Sequence, residues 1–114
     1  GACEEIIDLV ALIAEANAHI NDIHKKLAMK DFENGYFYYR HKRFKPASIY
    51  FDKVINSYPG NEHWLKALLY QAKISIAEGN TDAARDLLNR VMEYPGDSAV
   101  KQEAGEILNT LKEG

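Results

Sequence analysis

The stretch "VINSYPG" at residues 54–60 recurs as "VMEYPG" at residues 91–96, and this repetition decides the fold. Val54 and Val91 lie 37 residues apart, while the two Tyr-Pro-Gly triplets lie 36 apart because the second copy is one residue shorter before its proline. The 37-residue offset also pairs further small and apolar residues, namely Ala47 with Ala84 and Phe51 with Leu88. A period of this length is typical of stacked units that bury their apolar faces only against neighbouring units.

The first copy predicts two helices joined by a tight turn. Residues 27–42 contain one helix breaker, Gly35, and their apolar side chains recur at helical spacing. Residues 43–58 follow, with Pro46 near the beginning of the helix, where a missing N–H costs little. No stretch of useful length alternates between polar and apolar residues, so we expect an all-α protein of about six helices.

The second copy contains explicit signals for helix ends. Gly79-Asn80 suits a left-handed helix end, and Thr81 is the expected N-cap of the next helix. Asp97 or Ser98 is expected to cap a last, largely polar helix. We therefore treat residues 1–114 as a single domain and divide it into four segments: an N-terminal helix at 3–26, a first repeat at 27–60, a second repeat at 61–96 and a capping helix at 97–114.

These repeats resemble the tetratricopeptide repeat (TPR) family, whose two-helix unit has small residues where helices cross and a proline after the second helix. In the first copy the family pattern falls on Gly35, Tyr38, Ala47, Phe51, Val54 and Pro59. In the second copy it falls on Leu68, Ala72, Gly79, Ala84, Leu88, Val91 and Pro95. The resemblance covers residues 27–112 and implies a right-handed helical solenoid of two repeats that serves as a protein-binding scaffold.

Residues 25–60 are also similar to a late repeat of the BamD family of outer-membrane protein assembly lipoproteins. The shared features include Lys30-Asp31-Phe32, Tyr38-Tyr39 and a basic turn before Phe44, whereas Ile49-Tyr50-Phe51 departs from the family pattern. This resemblance implies a periplasmic, outer-membrane-associated protein whose partner is a barrel-assembly component or a segment of an unfolded outer-membrane protein. Cys3 in "GAC" resembles the lipidated cysteine of a lipobox; the alternative is a free thiol.

Composition and motifs narrow the class of function. A hydrophobic content of 46% with 27% charged residues is typical of a folded protein, and the net charge of −3 does not favour a general polyanion binder. The most apolar run, residues 6–16, is about half as long as a membrane span. The sequence contains no catalytic motif, phosphate-binding loop or metal-ligand spacing, so we expect no enzyme activity, cofactor or metal. A small nucleic-acid-binding helical protein remains a less favoured alternative.

The first helices of the repeats supply the candidate binding residues. In the TPR arrangement these helices line a concave groove, and seven aromatic, basic or apolar side chains fall on that side: Phe32, Tyr36, Tyr39, Arg40, Lys66, Leu69 and Lys73. Tyrosine suits such a groove because it offers a large contact area with little loss of entropy. Such a groove suits an extended peptide or the acidic edge of a folded partner, as in a generic TPR adaptor. For Phe32 the alternative is packing against the preceding helix.

The N-terminal helix raises a separate question, because apolar residues wrap most of its circumference between Ile6 and Ile13. Such a helix is expected to be buried on several sides, whereas the end of a solenoid normally has a polar outer face. We therefore expect this helix to dock onto more of its own chain, onto a second copy in a homodimer, or onto a partner.

Overall fold

The computed structural model describes the backbone of residues 2–113 and the side chains of residues 5–112. This part of the chain forms five α-helices and no strand, and it extends over 67 × 27 × 19 Å. The helices are α1 (Ala2–Arg40), α2 (Phe44–Ser57), α3 (Glu62–Ala77), α4 (Thr81–Glu93) and α5 (Ala99–Glu113). The all-α, TPR-like helical solenoid predicted from the sequence is confirmed.

The expectation of about six helices is wrong, because the N-terminal helix and the first helix of the first repeat are one continuous helix of 39 residues. Residues 2–34 contain neither glycine nor proline, so nothing in the backbone interrupts the helix. Among the side chains of α1 that the structure describes, Ala28 is the first that is fully buried, and residues 5–27 are all exposed. We call residues 5–27 the arm. Nothing within residues 5–112 covers the arm, so the burial expected for this segment is not found in the described part of the chain.

The repeat register is reproduced in the core. Helices that follow each other in sequence pack together, and α3 also contacts α1 on one side and the capping helix α5 on the other. The residues paired by the 37-residue offset are all fully buried: Ala47, Ala84, Phe51, Leu88, Val54 and Val91. Small residues at the helix crossings thus let the second helix of each repeat nest against the first, as the sequence predicts.

The turns repeat as well as the core. Lys42 in the α1–α2 turn and Gly79 in the α3–α4 turn are 37 residues apart, and both have positive φ, at 58° and 83°. Glycine adopts this left-handed conformation without steric cost. The helix after Gly79 is capped by Asn80, whose side-chain oxygen accepts a hydrogen bond from the Ala83 N–H at 3.2 Å. The expected cap, Thr81, is instead the first residue of α4.

Polar contacts hold the loops in place. Asn61 caps α3 by accepting a hydrogen bond from the Trp64 N–H at 2.9 Å, and Ser98 accepts one from the Lys101 N–H at 3.3 Å. Of the two expected caps for α5, Ser98 is therefore the one used. The Tyr94 hydroxyl of the second Tyr-Pro-Gly loop donates to the Gly60 carbonyl of the first at 3.0 Å. This contact links the two repeats at the loop end.

Candidate functional site: an aromatic groove between α1, α3 and α5

Helices α1, α3 and α5 border a cleft of about 360 Å³. It is open to solvent and lined by residues of α1, α3 and α5: Phe32, Tyr36, Lys66, Leu69, Tyr70, Ala99, Val100 and Glu103. We call this cleft the groove. It forms because α3 lies between α1 and α5 and contacts both of them.

Tyr70 is the centre of the aromatic side of the groove. Its ring centroid lies 5.0 Å from that of Tyr39 and 5.4 Å from that of Tyr36, both in edge-to-face geometry. Phe51, in the core, stacks on it at 5.8 Å. These separations are within the range in which aromatic pairs attract each other. Burial raises the pKa of the Tyr70 hydroxyl, and neighbouring Tyr36, Glu103 and Tyr39 raise it further, so the phenol stays neutral and can donate a hydrogen bond.

Phe32 lines the groove on the side of α1. Its ring lies 5.6 Å from those of Phe51 and Tyr70 and 5.8 Å from that of His63. The segment preceding Phe32 is part of the same helix, so Phe32 packs on its own repeat and on α3 rather than on an earlier helix.

The pKa of His63 is lowered, first by burial and then by the charge of Lys66, with Glu62 and Glu33 acting in the opposite direction.

Tyr36 and Tyr39 present a stacked pair on one face of α1. Their ring centroids are 6.4 Å apart, and the Arg40 guanidinium lies 5.8 Å from the centre of the Tyr36 ring. Tyr36 is exposed and Tyr39 is half-buried. The Tyr39 ring is therefore held by its neighbours, whereas the Tyr36 ring is accessible to a ligand and has the Arg40 cation beside it.

Two lysines give α3 a basic edge. The Lys73 ammonium lies 4.6 Å from the Tyr70 ring centre and 3.2 Å from a carboxylate oxygen of Glu103 on α5. Lys66 pairs with Glu62 one turn earlier on the same helix, at 3.4 Å. Both lysines are half-buried, and Glu62 is exposed, so the charge of Lys66 remains available to a ligand.

The structure brings the seven predicted site residues together along this groove. Phe32, Tyr36, Lys66 and Leu69 line it directly, and Leu69 is buried as its floor, only 3% exposed. Tyr39, Arg40 and Lys73 adjoin it through the contacts described above.

Sequence reasoning missed four residues that line the groove: Tyr70 on α3, and Ala99, Val100 and Glu103 on α5. Tyr70 lies four residues after Lys66 and three before Lys73, so helical spacing places it on the same stripe and could have identified it. Glu103 could not be found in this way, because its relation to Lys73 depends on how α5 packs on α3.

A family model for the tetratricopeptide repeat matches residues 66–96, which run from α3 through α4 into the second Tyr-Pro-Gly loop. This match supports a relationship of the chain to the TPR family, whose repeats are typically non-catalytic modules that bind other proteins. Comparisons with curated proteins and with solved structures gave no significant match. Among the described residues, no helix is long and apolar enough to cross a membrane.

Proposed function

We propose that the chain is a non-catalytic scaffold that binds an extended, acidic peptide segment in the groove between α1, α3 and α5. The observation that carries the proposal is the cluster of Tyr36, Tyr39 and Tyr70 beside the cations Arg40 and Lys73. Rigid tyrosines offer apolar area and a polar tip, and lysine or arginine at the edge attracts carboxylates. A TPR relationship supports protein binding as the general activity.

The size of the groove suits a chain segment better than a small metabolite. A volume of about 360 Å³ is near the lower limit for a small-molecule pocket, and this cleft is open along one side. An extended peptide can place one or two apolar side chains on the aromatic wall while its carboxylates reach Lys66 and Lys73. The floor residue Leu69 supplies apolar contact beneath them.

A binding experiment tests the groove directly. The probe is a fluorescein-labelled peptide of about ten residues in which glutamate alternates with phenylalanine. Tyr36→Ala and Tyr39→Ala are each expected to weaken its binding about tenfold or more, as for hot-spot aromatic residues. Phe37→Ala is the matched control, because Phe37 is an exposed aromatic residue of the same helix that does not line the groove. Equal losses in all three variants would contradict the proposal, as would equal affinity for a peptide with lysine in place of glutamate.

The cellular setting is a separate part of the proposal. We infer from the similarity of residues 25–60 to the BamD family that the scaffold acts in outer-membrane β-barrel protein assembly, in the periplasm. Its partner is then a barrel-assembly component or a segment of an unfolded outer-membrane protein, and Cys3 is the site of a lipid anchor. The side chain of Cys3 lies outside the described side chains.

This setting has its own test, which does not depend on the groove. The native gene is expressed in a Gram-negative host, the membranes are fractionated, and the mass of the N-terminal peptide is measured. A diacylglyceryl-modified Cys3 in the outer-membrane fraction supports the setting, and an unmodified thiol in the cytosol contradicts it. In the second case the groove proposal would stand as that of a generic TPR adaptor.

A further inference from the structure

The arm of α1 carries an apolar stripe that nothing in the described chain covers. Its side chains near the N-terminal end are 58–66% exposed, from Ile6 to Ile13. Apolar residues also recur every three and four residues further along: Ile6, Ile13, Ile20 and Leu27 fall at one heptad position, and Leu9, Ala16 and Ile23 at the other. A repeat of apolar residues at these two positions over three heptads is the pattern of a two-stranded coiled coil.

The stripe and the residues through which α1 contacts the repeats fall on different heptad positions. Ala28, Asp31 and Gly35 of α1 are buried against the repeats, and the ring of His24 in the arm lies 5.7 Å from that of Tyr58; all four residues fall on other heptad positions. Leu27, the last residue of the stripe, is exposed. A second helix can therefore lie along the stripe without displacing α2 or α3.

The charges of the arm indicate which helix would pair with it and whether that helix would run parallel or antiparallel. Within the arm, residues 5–27, the charged side chains are Glu5, Asp8, Glu15 and Asp22, followed by Lys25 and Lys26, so the arm is acidic at its first residues and basic at its last ones. Two copies in parallel would place like charges together, whereas two antiparallel copies place the acidic end of each beside the basic end of the other. The complementary surface for this arm is thus the same arm turned end to end.

We propose that two copies of this chain associate through their arms as an antiparallel coiled coil. The two arms are aligned so that the two apolar heptad positions of one copy alternate with those of the other. Ile13 of one copy then lies beside Ala16 of the other, and Ile6 lies beside Ile23. Glu5 of one copy then faces Lys26 of the other across the edge of the stripe. Residues 6–27 span about 32 Å at 1.5 Å per residue, and the two sets of repeats lie at opposite ends of the shared segment.

The oligomeric state of the full chain tests the association. Under reducing conditions, sedimentation velocity is expected to give a dimer at about 100 μM, and Ile13→Asp is expected to weaken dimerisation by more than about 100-fold. Ile49→Asp is the matched control: Ile49 is 66% exposed on α2, and its replacement should leave the dimer intact. A wild-type chain that stays monomeric at this concentration overturns the proposal, and so does a larger assembly or an equal loss in the control.

Charge reversal tests the direction. Glu5→Lys and Lys26→Glu, each alone, place like charges across the edge and should weaken dimerisation by about 3- to 10-fold. The double variant should restore the wild-type dissociation constant, because the antiparallel partner then carries the opposite charge again. Losses that add in the double variant would overturn the antiparallel arrangement. The fold is monitored by circular dichroism, and peptide binding to the groove should be the same in all these variants, so failure here leaves the groove proposal separately testable.

Discussion

Gly35 and Phe51 are in such close contact that a Cβ atom added to Gly35 would lie 2.7 Å from Cε1 of the Phe51 ring. The ring is fully buried and also packs against Phe32 and Tyr70, so it has no free direction in which to move. The absence of a side chain at residue 35 therefore sets the distance between α1 and α2.

Gly35→Ala should destabilise the protein. Alanine favours a helix over glycine by about 1 kcal/mol, but the overpacking of a buried ring costs about 1 to 3 kcal/mol, so we expect the free energy of unfolding to fall by up to about 2 kcal/mol. Urea denaturation followed by circular dichroism measures this change. Gly105→Ala in α5 is the control, because its added Cβ meets nothing closer than Met92 at 3.9 Å. That variant should gain up to about 1 kcal/mol; a gain in both variants would contradict the packing argument.

Asn61→Ala should cost more stability than Asn80→Ala. Asn61 accepts a hydrogen bond from the Trp64 N–H and also donates to the Tyr58 carbonyl at 2.7 Å, whereas Asn80 makes a single, exposed capping bond to Ala83. Loss of a cap costs about 1 kcal/mol, and a second lost hydrogen bond adds about 0.5 to 1.5 kcal/mol. Thermal and urea unfolding of the two variants compare them directly. An equal or greater loss at Asn80 would show that the bond to Tyr58 contributes nothing.

His63 should make stability depend on pH. Because the folded state lowers its pKa, the unfolded chain takes up a proton first as the pH falls. The contribution of this group to stability is complete above the ordinary pKa of 6.5 and is lost as the pH falls below 6.5 through the lowered value. His63→Gln should remove this part of the slope. Urea midpoints measured between about pH 5 and pH 8 give the comparison; identical slopes in the variant and the wild type would refute it.

Glu103→Gln should strengthen the binding of acidic peptides to the groove. Glu103 pairs with Lys73 at 3.2 Å and would compete with a ligand carboxylate for the same ammonium. Because a partly exposed pair contributes about 0 to 1 kcal/mol, we expect little loss of stability and a several-fold gain in affinity that fades at high salt. Asp82→Asn removes the partner of Arg85 on α4, away from the groove, and serves as the control. Equal affinity of wild type and Glu103→Gln in fluorescence anisotropy would exclude this competition.

Much of the repeat core could be predicted from the sequence, because the small residues at helix crossings and the 37-residue repeat are both visible in the sequence itself. Ala47, Ala84 and the two Tyr-Pro-Gly triplets define where helices cross and where they end, and the structure places them accordingly. The boundary between residues 26 and 27 had no such signal. It followed from the repeat period alone, and an uninterrupted run of helix-forming residues joined the two segments.

Within the candidate site, the sequence could predict only those residues that share one face of a single helix. Tyr36, Tyr39 and Lys66 follow from spacing along α1 and α3. The central position of Tyr70 depends on the angle at which α3 meets α1, and the link from Lys73 to Glu103 depends on the docking of α5. Contacts between helices are set by packing across the core, which periodicity within one helix does not determine.

Because α1 is continuous, the number of its residues fixes the rotation of the groove relative to the arm. The arm and the tyrosines of the groove share one helix, so each residue between them contributes about 1.5 Å of length and 100° of rotation. Inserting two residues near residue 26 would turn the groove by about 200° relative to the stripe, whereas inserting seven would lengthen the helix by about 10 Å and nearly restore the direction. The number of residues in this helix, rather than any contact, thus determines which way the groove faces when the arm is held.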